Sequence, residues 1–407
     1  MNFRFLHAAD LHLGSPLQGL AQNDEDVARR LACASRAAFE DLVTKGLEEN
    51  VAFTVIAGDI FDGAWKDASI GLFFNRQIAR FARQGVPTFF LRGNHDADSV
   101  LTKSLTWPEG VHEFSTRVAE TRRIPDLGVA LHGRGFPRRD VTENYAANYP
   151  QPVAGWFNIG VLHTACGRAD HENYAPCTET DLGARGYDYW ALGHVHAFEV
   201  VSRDPWIVYP GNLQGRSVRE CGEKGAVIVD VADGRVHAVR RVLTDRARWA
   251  EVVVDVEPYD DEPGVLRAIE AQVRPHVEAC EGRMLAVRVT LIGSTPLHAR
   301  LLADADLRDK TEAAAQRCGD DVWLERVRLA TCAPRRAPAA AQAGLDLAAA
   351  LQDSATDPAS RAEIEALIGI VRARLPGGLA DAGAAALDLE SILADAQALT
   401  LGRAELR

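Results

Sequence analysis

The chain has 407 residues, which at about 150 residues per domain predicts two or three domains. Hydrophobic residues make up 47% and charged residues 25% of the sequence, which excludes intrinsic disorder over most of its length. Its 45 basic and 57 acidic residues give a net charge of −12, so it lacks the basic character of a protein that coats nucleic acid without specificity. No apolar run approaches the roughly 18 residues needed to cross a membrane, and a cytoplasmic protein with no membrane partner is expected.

The seven cysteines are odd in number and scattered, and no two of them form a C-x-x-C pair. This arrangement predicts neither a disulfide framework nor a structural zinc site. Most of the thiols are expected to be small buried side chains.

Up to about residue 210 the sequence alternates short apolar strands with amphipathic helices, the pattern of an α/β domain. The run VAFTVIAG is too continuous for a half-exposed strand and predicts one that is buried on both faces. Helices are predicted over Asp26–Glu48 and Ser69–Ala82. Strands are predicted over Phe3–Ala8, Val51–Ala57, Val86–Leu91, Val129–His132, Asn158–Leu162 and Tyr189–Leu192.

A second series of strands, GAVIVDV and RVHAVRRV, is separated by the hairpin signal Asp233-Gly234. Acidic and proline residues then cluster over Asp245–Pro263 and predict a domain boundary. A small α+β domain is expected beyond it, with elements over Gly264–Ala279 (helix), Met284–Ile292 (strand), Ala299–Arg317 (helix) and Val322–Leu329 (strand).

After Thr331 the composition becomes rich in proline and alanine, which is typical of a linker. Apolar residues at helical spacing predict helices over Arg361–Leu375 and Asp388–Leu399. The expected layout is a first domain over 1–245, an α+β domain over 246–332, and a linker with C-terminal helices over 333–407.

Residues that commonly bind metals follow five of the predicted strands. The carboxyl ends of strands are where open α/β sheets gather their ligands, and in D-x-H or H-x-H the two ligands share one face of an extended chain. Each motif alone has a plainer explanation, such as a turn with a helix cap for G-D-x-x-D. Together they predict a site for two divalent ions. The segments are Asp10-Leu11-His12, Gly58-Asp59-Ile60-Phe61-Asp62, Gly93-Asn94-His95-Asp96, His163 and Gly193-His194-Val195-His196.

Carboxylate, amide and imidazole ligands suit manganese, iron or zinc better than a metal that prefers thiolates. A bridging carboxylate would hold two such ions about 3.5–4 Å apart, the separation used in two-metal hydrolysis. The chemistry that this favours is hydrolysis of a phosphoester, because two cations generate hydroxide at neutral pH and stabilise the charge that develops on the phosphoryl oxygens.

The order D-x-H, G-D-x-x-D, G-N-H-D, H, G-H-x-H resembles that of the calcineurin-like binuclear metallophosphoesterase superfamily. The segments HAADLHLGSPLQGL and YPGNLQGRSVRE are similar, more narrowly, to the bacterial SbcD/YhaO type of DNA repair exonuclease. The resemblance implies a layered α/β/β/α metallophosphoesterase sandwich, with the α+β domain as a cap and the C-terminal helices after it. It also implies two metal ions, with manganese first and iron, zinc or magnesium as alternatives.

Carried over by position, the resemblance implies a role for each residue of the motifs. Asp10, His12 and His196 would bind one ion, and Asn94, His163 and His194 the other, with Asp59 bridging the two. A bridging hydroxide would attack in line, and His95, oriented by Asp96, would be the general acid. Asp62 is expected to support a ligand or cap a turn instead of binding metal.

The sequence says less about which residues contact the substrate than about which bind the metal ions. Arg134 and Arg138 lie in a loop that could bind phosphates, and Arg216 lies in a second loop, although each could equally be a solvated surface arginine. Trp156, Tyr174 and Trp206 could stack on bases or belong to the core.

The function that these features favour is a metal-dependent DNA phosphodiesterase, an exonuclease in DNA repair. The C-terminal helices would dock an SMC-like coiled-coil ATPase, although they could instead pack on their own chain or form a homodimer. The alternatives are a phosphodiesterase or phosphatase acting on nucleotides or other small molecules, and a non-enzymatic scaffold for the ATPase. A scaffold is disfavoured because no ligand position is missing.

Overall fold

A computed structural model of the protein describes residues 1–15, 25–62, 68–97, 106–168 and 174–334, together with 352–374 other than 354 and the short stretches 389–390, 392–393 and 395–397. The helices in these residues are α1 (Glu25–Glu48), α2 (Ala68–Arg83), α3 (Asn94–Ala97), α4 (Glu179–Gly183), α5 (Glu262–Ala279), α6 (His298–Ala303), α7 (Leu307–Gln316) and α8 (Pro358–Arg374). The strands are β1 (Phe3–Ala8), β2 (Phe53–Ala57), β3 (Thr88–Leu91), β4 (Val111–Glu113), β5 (Glu120–Ile124), β6 (Val129–Gly133), β7 (Phe157–His163), β8 (Tyr189–Gly193), β9 (Glu199–Arg203), β10 (Trp206–Tyr209), β11 (Gly225–Ala232), β12 (Arg235–Leu243), β13 (Ala247–Asp255), β14 (Met284–Ser294) and β15 (Val322–Cys332).

The chain divides into two compact units, residues 1–250 with 283–285, and residues 251–282 with 286–407. The predicted layout of three segments stays a prediction. Among the described residues, no helix is both long and apolar enough to cross a membrane.

The first unit contains two six-stranded sheets. The strand order is β12-β11-β1-β2-β3-β4 in the first sheet and β5-β6-β7-β8-β10-β9 in the second. Strands β1 to β4 run parallel to one another, as do β6, β7, β8 and β10. All five residues of β2 are buried, as the continuous apolar run predicted. The carboxyl ends of the parallel strands therefore line up along one edge of each sheet.

Three apolar layers hold this unit together. Phe5 and Phe53 from the first sheet and Ile159 and Tyr189 from the second belong to one buried cluster, which lies between the sheets. A second cluster packs α1 and α2 against the outer face of the first sheet, and a third covers the outer face of the second sheet with α4 and neighbouring loops. The predicted α/β/β/α sandwich is confirmed.

The second unit contains most of a three-stranded sheet, β13-β14-β15, together with helices α5 to α8. The α+β character of this region agrees with the sequence. One detail was wrong: the single helix predicted over Ala299–Arg317 is two helices, α6 and α7. Asp304 interrupts it in an extended conformation, and its carboxylate accepts hydrogen bonds from the backbone N–H of Asp306 at 2.9 Å and from Nζ of Lys310 at 2.8 Å.

The C-terminal helix α8 follows the predicted helix over Arg361–Leu375 up to Arg374, the last residue described there. The helix predicted over Asp388–Leu399 lies largely outside the described residues, and the parts that are described are helical.

Candidate metal centre

The loops that follow β1 and β2 run side by side and carry the first acids and imidazoles. The backbone N–H of Asp10 donates to the carbonyl of Gly58 at 3.0 Å, and that of His12 to Asp59 at 3.0 Å. Asp10, His12 and Asp59 have φ angles of 53°, 42° and 52°. The expectation that D-x-H shares a face of an extended strand was therefore wrong, because β1 ends at Ala8 and left-handed turns orient these residues. Such conformations cost about 1–3 kcal/mol each and cluster at functional sites.

Two glycines allow this close approach. A Cβ at Gly93 would lie 2.2 Å from Oδ1 of Asp59, and a Cβ at Gly58 would lie 2.6 Å from Nδ1 of His163. Gly58 also has a φ of 94°, which other residues rarely adopt. The glycines of G-D-x-x-D and G-N-H-D are thus required by the space around the acids and imidazoles.

Asp10, His12 and His196 form one group whose potential ligand atoms all lie within 4.8 Å of one another. The two imidazoles face each other, with 3.1 Å between their Nε2 atoms, and Nε2 of His196 is 3.8 Å from Oδ1 of Asp10. Glu220 accepts a hydrogen bond from Nδ1 of His196 at 2.8 Å. Because the proton is then on Nδ1, the lone pair of Nε2 points into the group.

Asp10, Asp59 and His163 form a second group of the same kind. Nδ1 of His163 donates to the carbonyl of Ala57 at 2.9 Å, so in the neutral ring the proton lies on Nδ1 and the lone pair on Nε2. This lone pair faces Oδ1 of Asn94 at 2.9 Å and Oδ2 of Asp59 at 3.4 Å. A nitrogen acceptor that faces two oxygen acceptors has the geometry of a cation site.

His194 completes the set of expected ligands. Its backbone N–H donates to both carboxylate oxygens of Asp10, at 3.1 and 3.0 Å, and its ring centroid lies 5.2 Å from that of His163. Its φ of 98° turns the chain where β8 ends at Gly193. The structure therefore brings all seven expected metal ligands to one place.

The charges of this cluster favour a cation. Burial raises the pKa of Asp10 above its usual range. Burial by itself would lower the pKa of His163, but the neighbouring Asp59 and Asp10 carboxylates raise it to about 9. Because these carboxylates attract positive charge to an imidazole that is fully buried, the residues fit divalent ions, which would take the place of the proton.

His95 lies beside the two groups and is held by Asp62. Nδ1 of His95 is 2.7 Å from Oδ1 of Asp62, and its ring centroid is 4.9 Å from that of His12. Burial lowers the pKa of His95, but the hydrogen bond to Asp62 and the charge of Asp59 raise it above its ordinary value overall. An imidazole that holds a proton at the rim of the cluster has the chemistry of a general acid.

The expectation that Asp96 orients His95 does not match these contacts. Asp96 is fully buried, and its carboxylate accepts hydrogen bonds from the backbone N–H groups of Gly93, Ile60 and Phe61 at 2.9–3.1 Å. Both aspartates are close to His95 in the fold, but α3 turns Asp96 inward, where it joins the loops that follow β2 and β3.

The three arginines expected to bind substrate have different surroundings. Arg134 is held by its own loop, with its guanidinium 3.9 Å from the Tyr145 ring centroid and 3.4 Å from Glu143. Arg138 is exposed and donates to the carbonyl of Asp140 at 3.1 Å. Their loop follows β6 and reaches the metal centre, because Phe136 within it lies against the ring of His163 with 5.7 Å between centroids.

Arg216 forms salt bridges with Glu220 at 2.9 Å and Asp62 at 3.5 Å. These are the two carboxylates that contact the imidazoles of His196 and His95. Glu220 was not singled out in the sequence. The spacing of Arg216 and Glu220 at i, i+4 is the one signal that could have pointed to it.

Of the three aromatic residues considered for base stacking, Tyr174 alone lies at the metal centre, with its ring centroid 5.6 Å from that of His194. Trp156 precedes β7 and Trp206 begins β10, so both lie at the opposite edge of the second sheet.

Two stacked sheets with acids, amide and imidazoles at the carboxyl ends of their strands define a metal-dependent phosphoesterase. A family model described as calcineurin-like phosphoesterase matches residues 3–198, and one described as metallophosphoesterase YhaO, middle domain, matches residues 249–332. The chain belongs to the calcineurin-like metallophosphoesterase family, in its SbcD/YhaO-type group. Members of this family bind two divalent metal ions.

Three individual proteins with sequences similar to this chain are consistent with this family. The chain is 33% identical over 300 residues to the uncharacterized metallophosphoesterase YhaO of Bacillus subtilis, over 72% of each chain. It is 23% identical over 372 residues to the SbcD component of the nuclease SbcCD of Escherichia coli, over 77% of this chain and 88% of that one. It is 29% identical over 248 residues to the DNA double-strand break repair protein Mre11 of Methanopyrus kandleri, over 55% of this chain and 51% of that one.

Proposed function

We propose that this phosphoesterase is a DNA nuclease, and specifically an exonuclease that acts in DNA repair with two manganese ions. The observation that carries the proposal is the convergence of Asp10, His12 and His196 with Asp59 and His163 in two groups that share Asp10. The names of two relatives, a nuclease component and a double-strand break repair protein, support DNA as the substrate.

In this proposal Asp10, His12 and His196 would hold one ion and Asn94, His163 and His194 would hold the other, with Asp59 as a ligand to both. When bound, the ions supply a nucleophile at neutral pH and neutralise charge on the phosphoryl oxygens. The outer hydrogen bonds of the imidazoles, from His196 to Glu220 and from His163 to Ala57, keep both Nε2 atoms available as ligands.

His95 is proposed as the group that protonates the leaving oxygen. Its Nδ1 is engaged by Asp62, so Nε2 is the atom that can give its proton to the substrate. The side chain is 29% exposed, whereas those of Asp59 and His163 are at most 2% exposed. His95 is therefore within reach of a ligand that enters from solvent.

The acidic composition is compatible with a DNA substrate because the metal ions would carry much of the phosphate recognition. Arg138 and Arg139, two exposed arginines of the loop whose Phe136 contacts His163, would add to it. Hydrolysis of nucleotides or other small phosphodiesters at the same centre is the second candidate, since the described ligands do not by themselves select a polymer.

The test is manganese-dependent degradation of end-labelled linear duplex DNA, with bis-p-nitrophenyl phosphate as a parallel substrate. Asp59→Asn should abolish both activities, whereas Asp126→Asn, an exposed aspartate after β5, should change neither. Hydrolysis of the ester without DNA degradation would contradict the nuclease and favour small phosphodiesters. Loss of neither activity in Asp59→Asn would contradict the metal centre itself.

The partner proposal concerns the C-terminal part. In α8, Leu367 and Ile370 are 56% and 51% exposed while Ile368 is buried. This supports docking of a partner such as an SMC-like ATPase, or pairing of two copies of the chain. Deletion of residues 359–407 should abolish ATPase binding in a pull-down, or should convert a dimer into a monomer in light scattering. If it changes neither, the docking proposal is wrong.

A further inference from the structure

A guanidinium joins two carboxylates behind the metal centre. Arg216 donates from Nη2 to Oε1 of Glu220 at 2.9 Å and from Nη1 to Oδ2 of Asp62 at 3.5 Å. These three side chains, named here the Arg216 bridge, are largely buried, with exposed fractions of 12% to 21%. A planar guanidinium can hold two carboxylates in fixed positions at once, which the point charge of an ammonium cannot do.

Each carboxylate of the bridge also holds one imidazole. Oδ1 of Asp62 is 2.7 Å from Nδ1 of His95, and Oε1 of Glu220 is 2.8 Å from Nδ1 of His196. The bridge therefore links an expected metal ligand to the expected general acid through a continuous chain of hydrogen bonds.

Glu220 is itself fixed by its surroundings. Its Oε2 accepts hydrogen bonds from the backbone N–H of Arg216 at 2.8 Å and from Nδ2 of Asn212 at 2.9 Å. Nζ of Lys224 donates to the backbone carbonyl of His196 at 2.8 Å. His196 is thus held at its ring by Glu220 and at its backbone by the same segment of chain.

We infer that Arg216 and Glu220 are positioning residues of the metal centre, which keep Nε2 of His196 directed at Asp10 and His12 and keep Asp62 against His95. The inference rests on the two-ion site of the proposed function and replaces substrate binding as the role of Arg216. Its physical basis is that the outer partner of a metal-binding imidazole sets the tautomer, the ring orientation and the basicity of the ligand. A guanidinium whose donors are engaged by two carboxylates is correspondingly less available to a phosphate.

The first test measures metal binding without substrate. The metal-free full-length chain and Glu220→Gln are titrated with Mn²⁺ by calorimetry. In the variant one carboxylate oxygen becomes an NH₂ group, which would face donors of Arg216 and Asn212 or the N–H of His196. Glu220→Gln should weaken the binding of one ion about 10–100-fold and leave the other unchanged. Glu223→Gln removes an exposed carboxylate that pairs with Arg241 at 2.6 Å, and it should bind both ions as the unmodified chain does.

The second test separates positioning from substrate binding. Arg216→Lys keeps the charge but cannot span Glu220 and Asp62, so it should weaken the same ion and leave KM unchanged at saturating Mn²⁺. Unchanged affinity for both ions with a raised KM would overturn the inference and make Arg216 a substrate contact. Affinities within twofold of the unmodified chain in Glu220→Gln would also overturn it. If Glu220→Gln does not fold, the Arg216→Lys titration decides. A shifted Mn²⁺ affinity in a protein that does not cleave DNA would uphold the inference and refute the nuclease.

Discussion

The Nδ1 atom of His95 lies 2.7 Å from Oδ1 of Asp62, although Asp96 is the acid next to it in the sequence. Asp62 comes from the loop after β2 and His95 from the start of α3, so the pair forms where two neighbouring parallel strands end. The contact orients the imidazole and supports its protonated form, which are the two requirements of a general acid.

Replacement of His95 by alanine is expected to lower turnover of DNA about 10²–10⁴-fold, the range that general acid catalysis contributes. The loss should be smaller for a p-nitrophenyl ester, since its leaving group needs no proton. Turnover on both substrates and metal content by mass spectrometry check this. Full turnover of the His95→Ala variant with two ions bound per chain would show that His95 is not the acid. The control is His237→Gln, a substitution at an exposed position of β12, which should leave turnover unchanged.

Asp96→Asn is expected to destabilise the fold, because three backbone N–H groups share the Asp96 carboxylate in a fully buried position. An asparagine has one acceptor oxygen instead of two, and a buried donor left without a partner costs about 1–3 kcal/mol. Urea denaturation of the metal-free chain should show a decrease of that size in the free energy of unfolding. An unchanged free energy of unfolding together with lost turnover would instead favour a catalytic role for Asp96.

Gly93→Ala is expected to weaken metal binding at least tenfold and to shift the backbone at Asp59, because the new Cβ would lie 2.8 Å from the Asp59 backbone nitrogen. The new Cβ would lie 2.2 Å from Oδ1 of Asp59, so the carboxylate between the two expected ion sites must move. Gly183→Ala, whose Cβ would lie 3.9 Å from its nearest neighbour, Pro205, is the matched control in the same unit. Mn²⁺ titration of the two variants compares them, and equal affinities would contradict the position that the structure gives to Asp59.

The stability of the metal-free chain is expected to fall as the pH drops below 6.5, in part because of His7. This side chain is fully buried between the hydroxyl of Tyr189 at 3.0 Å and the carbonyl of Leu192 at 3.1 Å, and burial lowers its pKa from 6.5 to about 3. Between pH 6.5 and 3 the unfolded chain binds a proton at His7 that the folded chain does not. This contribution is therefore complete above pH 6.5 and decreases by about 1.4 kcal/mol per pH unit below it.

Denaturation of the metal-free chain at a series of pH values tests the contribution of His7. His7→Gln should make the dependence on pH shallower by about that amount, while His237→Gln should not. Equal slopes in the His7→Gln variant and the unmodified chain would show that His7 is protonated in the folded state.

Strands β1, β2, β3, β6, β7 and β8 could be predicted from local sequence because they are buried over most of their length and so appear as continuous apolar runs. The same reasoning missed β4, β5 and β9, which are short edge strands of the two sheets with one face partly exposed. It also missed β13 (Ala247–Asp255), which lies within the stretch Asp245–Pro263 that the sequence marked only as a boundary. Edge strands are stabilised by pairing with a neighbour, and this pairing leaves little trace in their own composition.

The positions of the expected ligands were determined by the sequence, because parallel strands bring their carboxyl ends to one edge and glycines permit the turns that follow. The partners of the expected ligand His196 and of the expected acid His95 were decided only by the tertiary structure. The pairing of Asp62 with His95 and of Glu220 with His196 depends on which side chains meet across separate loops. Sequence spacing does not encode that geometry, since a carboxylate one residue away can point into the core while one from a distant loop completes the site.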